Sequence, residues 1–137
     1  MPIAARDAKF ATPEVTLGLP PAQIAPFIAE RLGERAALRL MLTGRRLDAE
    51  QALARGLADD VADDVDARLD AWLAELMHAE PAALRATKSI LQRRRSASLS
   101  DTLTHASHAF AQALRSGTAS EGLAAFTAKR AASWTRQ

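Results

Sequence analysis

The sequence predicts a mostly α protein in which one short strand at the N-terminus is followed by about seven helices. Alanine and leucine dominate the composition, and aromatic residues make up only 4% of the 137 residues. Apolar residues also recur every three or four positions along most of the chain, which is the spacing of an amphipathic helix. A chain of this length is long enough for one domain with its own core.

The first element is a short apolar stretch, Ile3–Ala5, which is typical of the end of a strand. A strand cannot stand alone, because its unpaired backbone groups need a neighbour. The sequence therefore predicts that the chain opens where a sheet already exists.

Residues 10–20 read Phe-Ala-Thr-Pro-Glu-Val-Thr-Leu-Gly-Leu-Pro and form the one turn-rich segment that carries an obvious chemical group. Pro13 fixes its own φ and holds Thr12 extended, which predicts that no helix begins there. Gly18 predicts a second turn a few residues later.

Glu14 is the carboxylate between these two turns, with apolar residues alternating after it. A carboxylate on a rigid, largely apolar turn is a candidate for acid–base catalysis. The alternative is an ordinary solvated loop glutamate, and the spacing alone does not decide between the two.

The first three helices have recognisable start and stop signals. Pro21, in a favoured first-turn position, predicts the start of the first helix, and Pro26 in its second turn predicts a break or a bend there. The second is predicted over residues 34–43 and ends at Gly44. Asp48 and Gln51 have the spacing of a capping box, which predicts a short third helix.

The remaining four helices follow an acidic stretch, residues 57–64, which is predicted to be irregular. A fourth helix comes directly after it, and Pro81 predicts the start of the fifth. Ser100 is predicted to cap the sixth helix, and Thr118 with Glu121 has the spacing of a capping box for the last.

Composition excludes several classes of function. There is no cysteine, so disulfides and thiolate chemistry are excluded. No apolar run approaches the roughly 18 residues that span a bilayer, and the N-terminus lacks the apolar core of a signal peptide. These features predict a cytoplasmic protein without a membrane partner. The net charge of +2 is too small to indicate nucleic-acid binding.

Two clusters outside the turn allow sharper hypotheses. His105 and His108 lie three residues apart, but no HExxH pattern or cysteine accompanies them, so we interpret them as solvated or interface residues and predict no metal site. Lys88 and residues 93–95 form a basic run, which could bind phosphates but is more typical of a wet helix face. A nucleic-acid-binding helical protein, with steep salt dependence, is the least favoured alternative.

Four ordered motifs resemble the enoyl-CoA hydratase/isomerase (crotonase) family. They are the turn segment at residues 10–20, Leu-Thr-Gly-Arg-Arg-Leu-Asp-Ala at 42–49, Ala-Arg-Gly-Leu at 54–57 and Ser-Glu-Gly-Leu-Ala-Ala-Phe-Thr-Ala-Lys-Arg at 120–130. The helical segment that contains Lys88 fits as well. The resemblance covers nearly the whole chain, and the four motifs together are specific although each alone is weak.

The resemblance implies the C-terminal part of a crotonase-like (ββα spiral) fold. Residues 1–62 would form the end of the spiral core, and residues 63–137 a helical oligomerisation region. Family members are roughly twice as long, and their first half supplies two backbone N–H groups of an oxyanion hole and one catalytic glutamate. The resemblance therefore implies a fragment with little or no hydratase activity by itself.

For the site, the resemblance implies that Glu14 is the second catalytic carboxylate in hydration of the α,β double bond of an acyl-CoA. Residues 20–26 lack the family's usual Gly-rich segment and are closer to hydratases of branched glutaconyl-type CoA esters. Hydration and isomerisation remain alternatives for the reaction.

At the other end of the chain, Phe126 and Lys129 match residues that lie near the CoA adenine and phosphates, often in a neighbouring subunit of a trimer or a dimer of trimers. No cofactor beyond the CoA of the substrate is implied. The alternatives are plain helix packing for Phe126, a solvated charge for Lys129, and a non-catalytic helical oligomerisation module for the whole chain.

Overall fold

The structure is a computed structural model that describes residues 1–135. It divides into two compact units, Met1–Ala71 and a second that starts at Trp72. Seven α-helices and four short strands occur in the described residues, so the predicted mostly α class is confirmed. The division predicted after residue 62 refers to the family's fold and stays a prediction.

Two short strand pairs lie in the first unit. β1, Ile3–Ala5, runs parallel to β4, Asp60–Ala62, and β2, Lys9–Phe10, pairs antiparallel with β3, Leu47–Asp48. The predicted N-terminal strand is therefore confirmed. Its partner lies in the acidic stretch that was predicted to be irregular, because a strand of three residues is too short for its alternation to stand out.

A cluster of alanines forms the core beside the parallel pair. Ala4 of β1 packs with Ala49, Ala52 and Ala58, and each of these residues is buried. Small side chains allow the third helix to approach the strand closely, so the core here is tight although it contains little apolar volume.

The capping box predicted for the third helix is confirmed. α3, Ala49–Ala54, begins after Asp48, whose Oδ1 accepts from the backbone N–H of Gln51 at 2.8 Å. The side chain of Gln51 accepts in return from the backbone N–H of Asp48. Two backbone donors that a helix start leaves unpaired are thereby satisfied.

The first helix begins later than predicted. α1, Ala25–Leu32, starts four residues after Pro21, because Pro26 lacks an N–H and is tolerated only in the first turn. α2, Glu34–Thr43, has the predicted bounds, and Gly44 ends it in the left-handed conformation. No helix in the described part of the chain is both long and apolar enough to cross a membrane.

The last four helices account for most of the remaining chain. They are α4, Val65–Met77, in which the second unit begins, α5, Pro81–Arg93, α6, Leu99–Arg115, and α7, Thr118–Thr127. The predicted start of the fifth helix at Pro81 is confirmed.

Two of the predicted caps in this part of the chain are wrong. Ser98, and not Ser100, caps α6, since its Oγ accepts from the backbone N–H of Asp101 at 3.1 Å. Gly117 precedes α7 in a left-handed conformation and has no side chain to cap it, so Thr118 is already inside the helix. In both cases the backbone conformation one or two residues earlier decides where the helix begins.

Candidate active site

Glu14 lies in a short 3-10 helix, Pro13–Leu17, that follows β2. The prediction that no helix begins at Pro13 is wrong, because the first position of a helix is where the missing N–H of proline costs nothing. Gly18 ends the turn with a φ of 76°. The backbone N–H of Leu19 donates to the carbonyl of Glu14 at 3.0 Å, so this hydrogen bond fixes the carbonyl of the candidate acid–base residue in the turn.

The carboxylate of Glu14 is half-buried, and its Oε2 is shielded from solvent without a hydrogen-bond partner in the described residues. Thr12, two residues earlier, is only 4% exposed, and its Oγ1 is also buried without a partner there. Buried polar atoms without partners are rare and costly. Two such atoms on one turn lower the stability of the folded chain, and local destabilisation of this kind is typical of functional sites.

Two depressions lie beside this turn. Glu14 lines an open cleft of about 330 Å³ together with residues 20–24. A second, largely apolar groove of about 580 Å³ is bounded by the turn, α1 and α2. Its apolar lining consists of Val15, Pro21, Ala25, Ala29, Ala37, Leu38, Met41 and Leu42. Because Pro21 lines both, the carboxylate stands next to a surface that can take up an apolar group.

The end of α2 packs against the turn that carries Glu14. Thr16 donates from its Oγ1 to the carbonyl of Pro13 at 2.7 Å, which fixes its side chain. Gly44 packs directly against this side chain. The position of Glu14 therefore depends on a contact between the turn and the glycine that closes α2.

Phe126 and Lys129, the other two predicted site residues, lie at the end of α7 in the second unit. The side chain of Phe126 is 84% exposed, so it does not pack within the described part of this chain. Lys129 has a φ of 51° and is the one residue other than glycine with a positive φ in residues 1–135. Its backbone N–H donates to the carbonyl of Phe126 at 3.1 Å, which holds the two residues on one tight turn.

An ion pair that sequence reasoning missed holds the segment after this turn. Arg130 donates from Nη1 and Nη2 to the two carboxylate oxygens of Glu121 at 2.8 and 2.9 Å. The backbone N–H of Ser133 donates to the same carboxylate at 3.0 Å. The bonds from Arg130 and then from Ser133 lower the pKa of Glu121 from 4.5 to about 2. The spacing to Thr118 suggested a capping box, and nothing in the sequence indicated a partner nine residues away.

The two other clusters add no catalytic group to the site. His105 Nε2 lies 3.0 Å from Ser89 Oγ, but no carboxylate in the described residues bonds to this histidine, so the pair is a single hydrogen bond and not a triad. His108 is exposed. In residues 1–135, no three His, Cys, Asp or Glu side chains are placed to hold a metal ion. Lys88 and residues 93–95 are exposed on α5 and the turn after it.

The fold and the site together define a class: an α-rich chain with a short strand region and a carboxylate on an apolar turn, suited to acid–base chemistry beside an apolar groove. The family model described as enoyl-CoA hydratase/isomerase matches residues 1–137. The chain belongs to this family, and the predicted family and crotonase-like fold are confirmed.

Individual relatives agree with this assignment. The probable enoyl-CoA hydratase echA8 of Mycobacterium tuberculosis is 37% identical over 142 residues, which cover 98% of this chain and 54% of that protein. The 2,3-dehydroadipyl-CoA hydratase of Escherichia coli is 30% identical over 93% of this chain and 51% of its own length.

Solved structures agree as well. Pseudomonas aeruginosa AtuE superposes with a TM-score of 0.87 at 42% identity, covering 98% of this chain and 53% of that one. An enoyl-CoA hydratase/isomerase from Marinobacter aquaeolei gives a TM-score of 0.86 at 39% identity, with coverages of 98% and 52%. The chain thus spans about half the length of the relatives that it matches.

Proposed function

We propose that the protein containing this chain hydrates the α,β double bond of an acyl-CoA thioester, with Glu14 as one of its acid–base groups. The observation that carries this proposal is the Glu14 carboxylate itself, whose Oε2 is enclosed without a hydrogen-bond partner in the described residues. Membership of a family whose relatives are named as hydratases supports the reaction class.

In the proposed reaction, the oxygen of a water molecule bonds to the β-carbon while one of its O–H bonds breaks. The proton passes to a carboxylate, the π-electron pair moves toward the thioester carbonyl, and the α-carbon then takes up a proton. Glu14 holds the water or exchanges a proton with one of these carbons, which is work suited to a positioned carboxylate. By family resemblance, the donors that stabilise the enolate oxygen lie in the half of the fold ahead of this one.

We further propose a branched, glutaconyl-type acyl group as the substrate. Residues 20–26 follow Glu14 without the Gly-rich segment common in the family, and Pro21 of this segment lines the apolar groove of about 580 Å³. A groove of this size and character suits a branched hydrocarbon portion.

Phe126 and Lys129 are proposed to contact the CoA portion of the substrate, the phenyl ring against the adenine and the ammonium group against a phosphate. An exposed aromatic ring and a cation on one turn are suited to this task. No cofactor other than this CoA is required.

Assembly through α6 and α7 belongs to the same proposal. These helices expose large apolar side chains to an extent that is uncommon at a free surface, which favours a homo-oligomer such as a trimer. The exposed residues are Leu99, Leu103, Phe110, Leu114, Leu123 and Phe126. The same observation favours the alternative of an oligomerisation module without catalysis.

The test is an assay of the hydration of crotonyl-CoA and methylglutaconyl-CoA. The reaction is monitored through the loss of the ultraviolet absorbance of the enoyl thioester. Reading the coding DNA ahead of Met1 shows whether a segment ending in a Gly-Gly-Gly-x-Glu-like motif is in frame, and the encoded protein is then assayed. We expect Glu14→Gln to lower kcat about 10²- to 10⁴-fold. Glu75→Gln, an exposed glutamate on α4, is the matched control and should leave kcat unchanged.

Full activity in the Glu14→Gln variant contradicts the proposed role of this carboxylate. Turnover at an ordinary enzymatic rate by residues 1–137 alone contradicts the dependence on oxyanion donors from elsewhere. A stable oligomer with neither CoA affinity nor turnover supports the non-catalytic alternative.

A further inference from the structure

A third cavity in the first unit is lined by an unusual number of arginines. It has a volume of about 470 Å³ and lies along α2, the chain that follows Gly44 and the end of α3. Four of its eleven lining residues are Arg35, Arg39, Arg45 and Arg55, and Glu34 is the one acidic residue among them. Glu14 does not line this cavity, although Glu34 and Arg35 line both it and the apolar groove beside the turn.

Three of these arginines have no carboxylate partner. In the described part of the chain, no ion pair involves Arg35, Arg39 or Arg45. By contrast, Arg6 and Arg31 of the same unit each donate to a carboxylate at 2.8 Å or less. Arg46, outside the cavity, has no ion pair in the described residues either, so what distinguishes this place is the gathering of several unpaired arginines around one cavity.

The positions of two of these arginines on α2 add electrostatic repulsion between their positive charges. Arg35 and Arg39 are four residues apart on one helix, so their side chains leave the helix on the same face and their charges repel. Arg55 adds a further charge from the end of α3, where its Nη1 donates to the carbonyl of Gln51 at 2.9 Å. That bond fixes the side chain and still leaves most of its N–H groups available.

We propose that this cavity binds a phosphate-bearing anion. The planar fork of a guanidinium group matches the geometry of phosphate oxygens and binds two of them at once. Four such groups around one cavity offset the charge of a phosphate or diphosphate and relieve their own repulsion. The site adds a binding function to this chain, beyond the proposed action of Glu14 on the acyl group.

The floor of the cavity is apolar. Leu40 and Leu47 line it, and both are buried, Leu47 with only 1% of its surface exposed. The arginines themselves are exposed at the rim. An anion held there is partly solvated, so we expect its affinity to fall steeply as ionic strength rises.

The experiment uses inorganic diphosphate as the probe, in calorimetric titrations of the whole chain at constant ionic strength set with sodium chloride. Arg45→Gln is compared with Arg46→Gln, because Arg46 is its exposed neighbour and does not line the cavity. We expect Arg45→Gln to weaken diphosphate binding roughly fivefold or more, as the loss of one charge-assisted hydrogen bond would, and Arg46→Gln to leave it within twofold of the original chain. Arg39→Gln is a second cavity variant in case the first fails to fold.

Equal weakening by Arg45→Gln and Arg46→Gln overturns the proposal, because a general charge effect then explains the binding. Absence of diphosphate binding by the original chain overturns it as well. Titrations with CoA and with phosphate-free pantetheine identify the source of the phosphate. If CoA binding weakens in Arg45→Gln, the phosphate is one of CoA's own, and if it does not, the cavity takes a separate phosphate compound. Glu14→Gln should leave diphosphate binding unchanged, so a failure of the hydratase proposal remains distinguishable.

Discussion

Gly44 lies so close to the turn that carries Glu14 that a Cβ atom on it would be 3.0 Å from Cγ2 of Thr16. Thr16 cannot rotate away freely, because its hydroxyl donates to the carbonyl of Pro13 at 2.7 Å. Gly44 also has a φ of 57°, which side chains disfavour. Both the backbone conformation and the close contact with Thr16 therefore disfavour any side chain at Gly44.

The first prediction separates these two reasons. Gly44→Ala should lower the free energy of unfolding by about 1–2 kcal/mol because of the left-handed backbone. The overpacked contact should lower it by roughly 1–3 kcal/mol more. Gly56→Ala is the matched control, because Gly56 has a φ of 75° but nothing within 4 Å of its missing Cβ. Thermal unfolding of both variants measures the difference. Equal destabilisation would show that the contact with Thr16 relaxes at no cost.

A second prediction concerns the hydroxyl of Thr12, which is buried without a partner in the described residues. Thr12→Val removes a polar atom that has already lost its water, so we expect stability to be unchanged or to rise by up to about 1 kcal/mol. Thr102→Val is the control, because Thr102 is equally buried but donates to the carbonyl of Ser98 at 2.8 Å. The free energy of unfolding of the Thr102→Val variant should fall by about 1 kcal/mol.

Chemical denaturation of the two valine variants gives the comparison. If Thr12→Val destabilises the chain as much as Thr102→Val, the Thr12 hydroxyl has a structural partner. If Thr12→Val is at least as stable as the original chain but the hydratase is impaired, the hydroxyl belongs to the functional site beside Glu14.

Local signals in the sequence were enough for much of the fold. The end of α2 follows from Gly44, and the capping box at Asp48 from a spacing of three residues. Such features depend on groups within one helical turn, so the sequence contains all the information about them. The Pro-Glu turn was also found locally, although Pro13 was interpreted as preventing a helix when it in fact begins one.

Features set by distant parts of the chain were not accessible in this way. β4 forms because it pairs with β1, 57 residues earlier in the register, and three residues are too few to show strand periodicity. The partner of Glu121 is nine residues away and outside its helix. The buried, unpartnered state of Thr12 depends on what packs around it, and no spacing rule reports burial.

The pH dependence of the Glu121–Arg130 ion pair is the third prediction. Folding lowers the pKa of Glu121 from 4.5 to about 2 because Arg130 and Ser133 donate to its carboxylate. A lowered pKa means that the unfolded chain takes up the proton first as the pH falls. The stabilisation is therefore fully present above pH 4.5 and is lost as the pH falls from there towards about 2.

We expect Glu121→Gln to remove this part of the acid sensitivity, so that its stability falls less than that of the original chain across the window. Arg130→Gln should have the same effect, because it removes the first cause of the shift. Glu75→Gln, without this ion pair, should follow the original chain. Urea denaturation at a series of pH values provides the measurement, and parallel curves for Glu121→Gln and the original chain would contradict the assignment.

The last prediction concerns the contact between Gly122 and Trp134. A Cβ on Gly122 would be 3.1 Å from Cη2 of the indole, closer than side chains normally approach. Gly122→Ala should stabilise α7 by about 1 kcal/mol through its higher helix propensity. The new methyl group also displaces the indole ring of Trp134, which costs energy although the ring can shift. The two effects are similar in size and opposite in sign, so we expect the melting temperature to change little while the environment of the indole changes.

Tryptophan fluorescence in a Trp72→Phe background reports this change, because the sequence contains only two tryptophans. The emission of Trp134 should shift to longer wavelength in Gly122→Ala, since the displaced ring is more exposed to water. The bond from Ser133 to Glu121 holds the neighbouring backbone in place, so the shift should be larger when Glu121→Gln is added. An unchanged spectrum in both variants would mean that residues 131–135 do not pack against α7, and their bond to Glu121 would then not support the turn that carries Lys129.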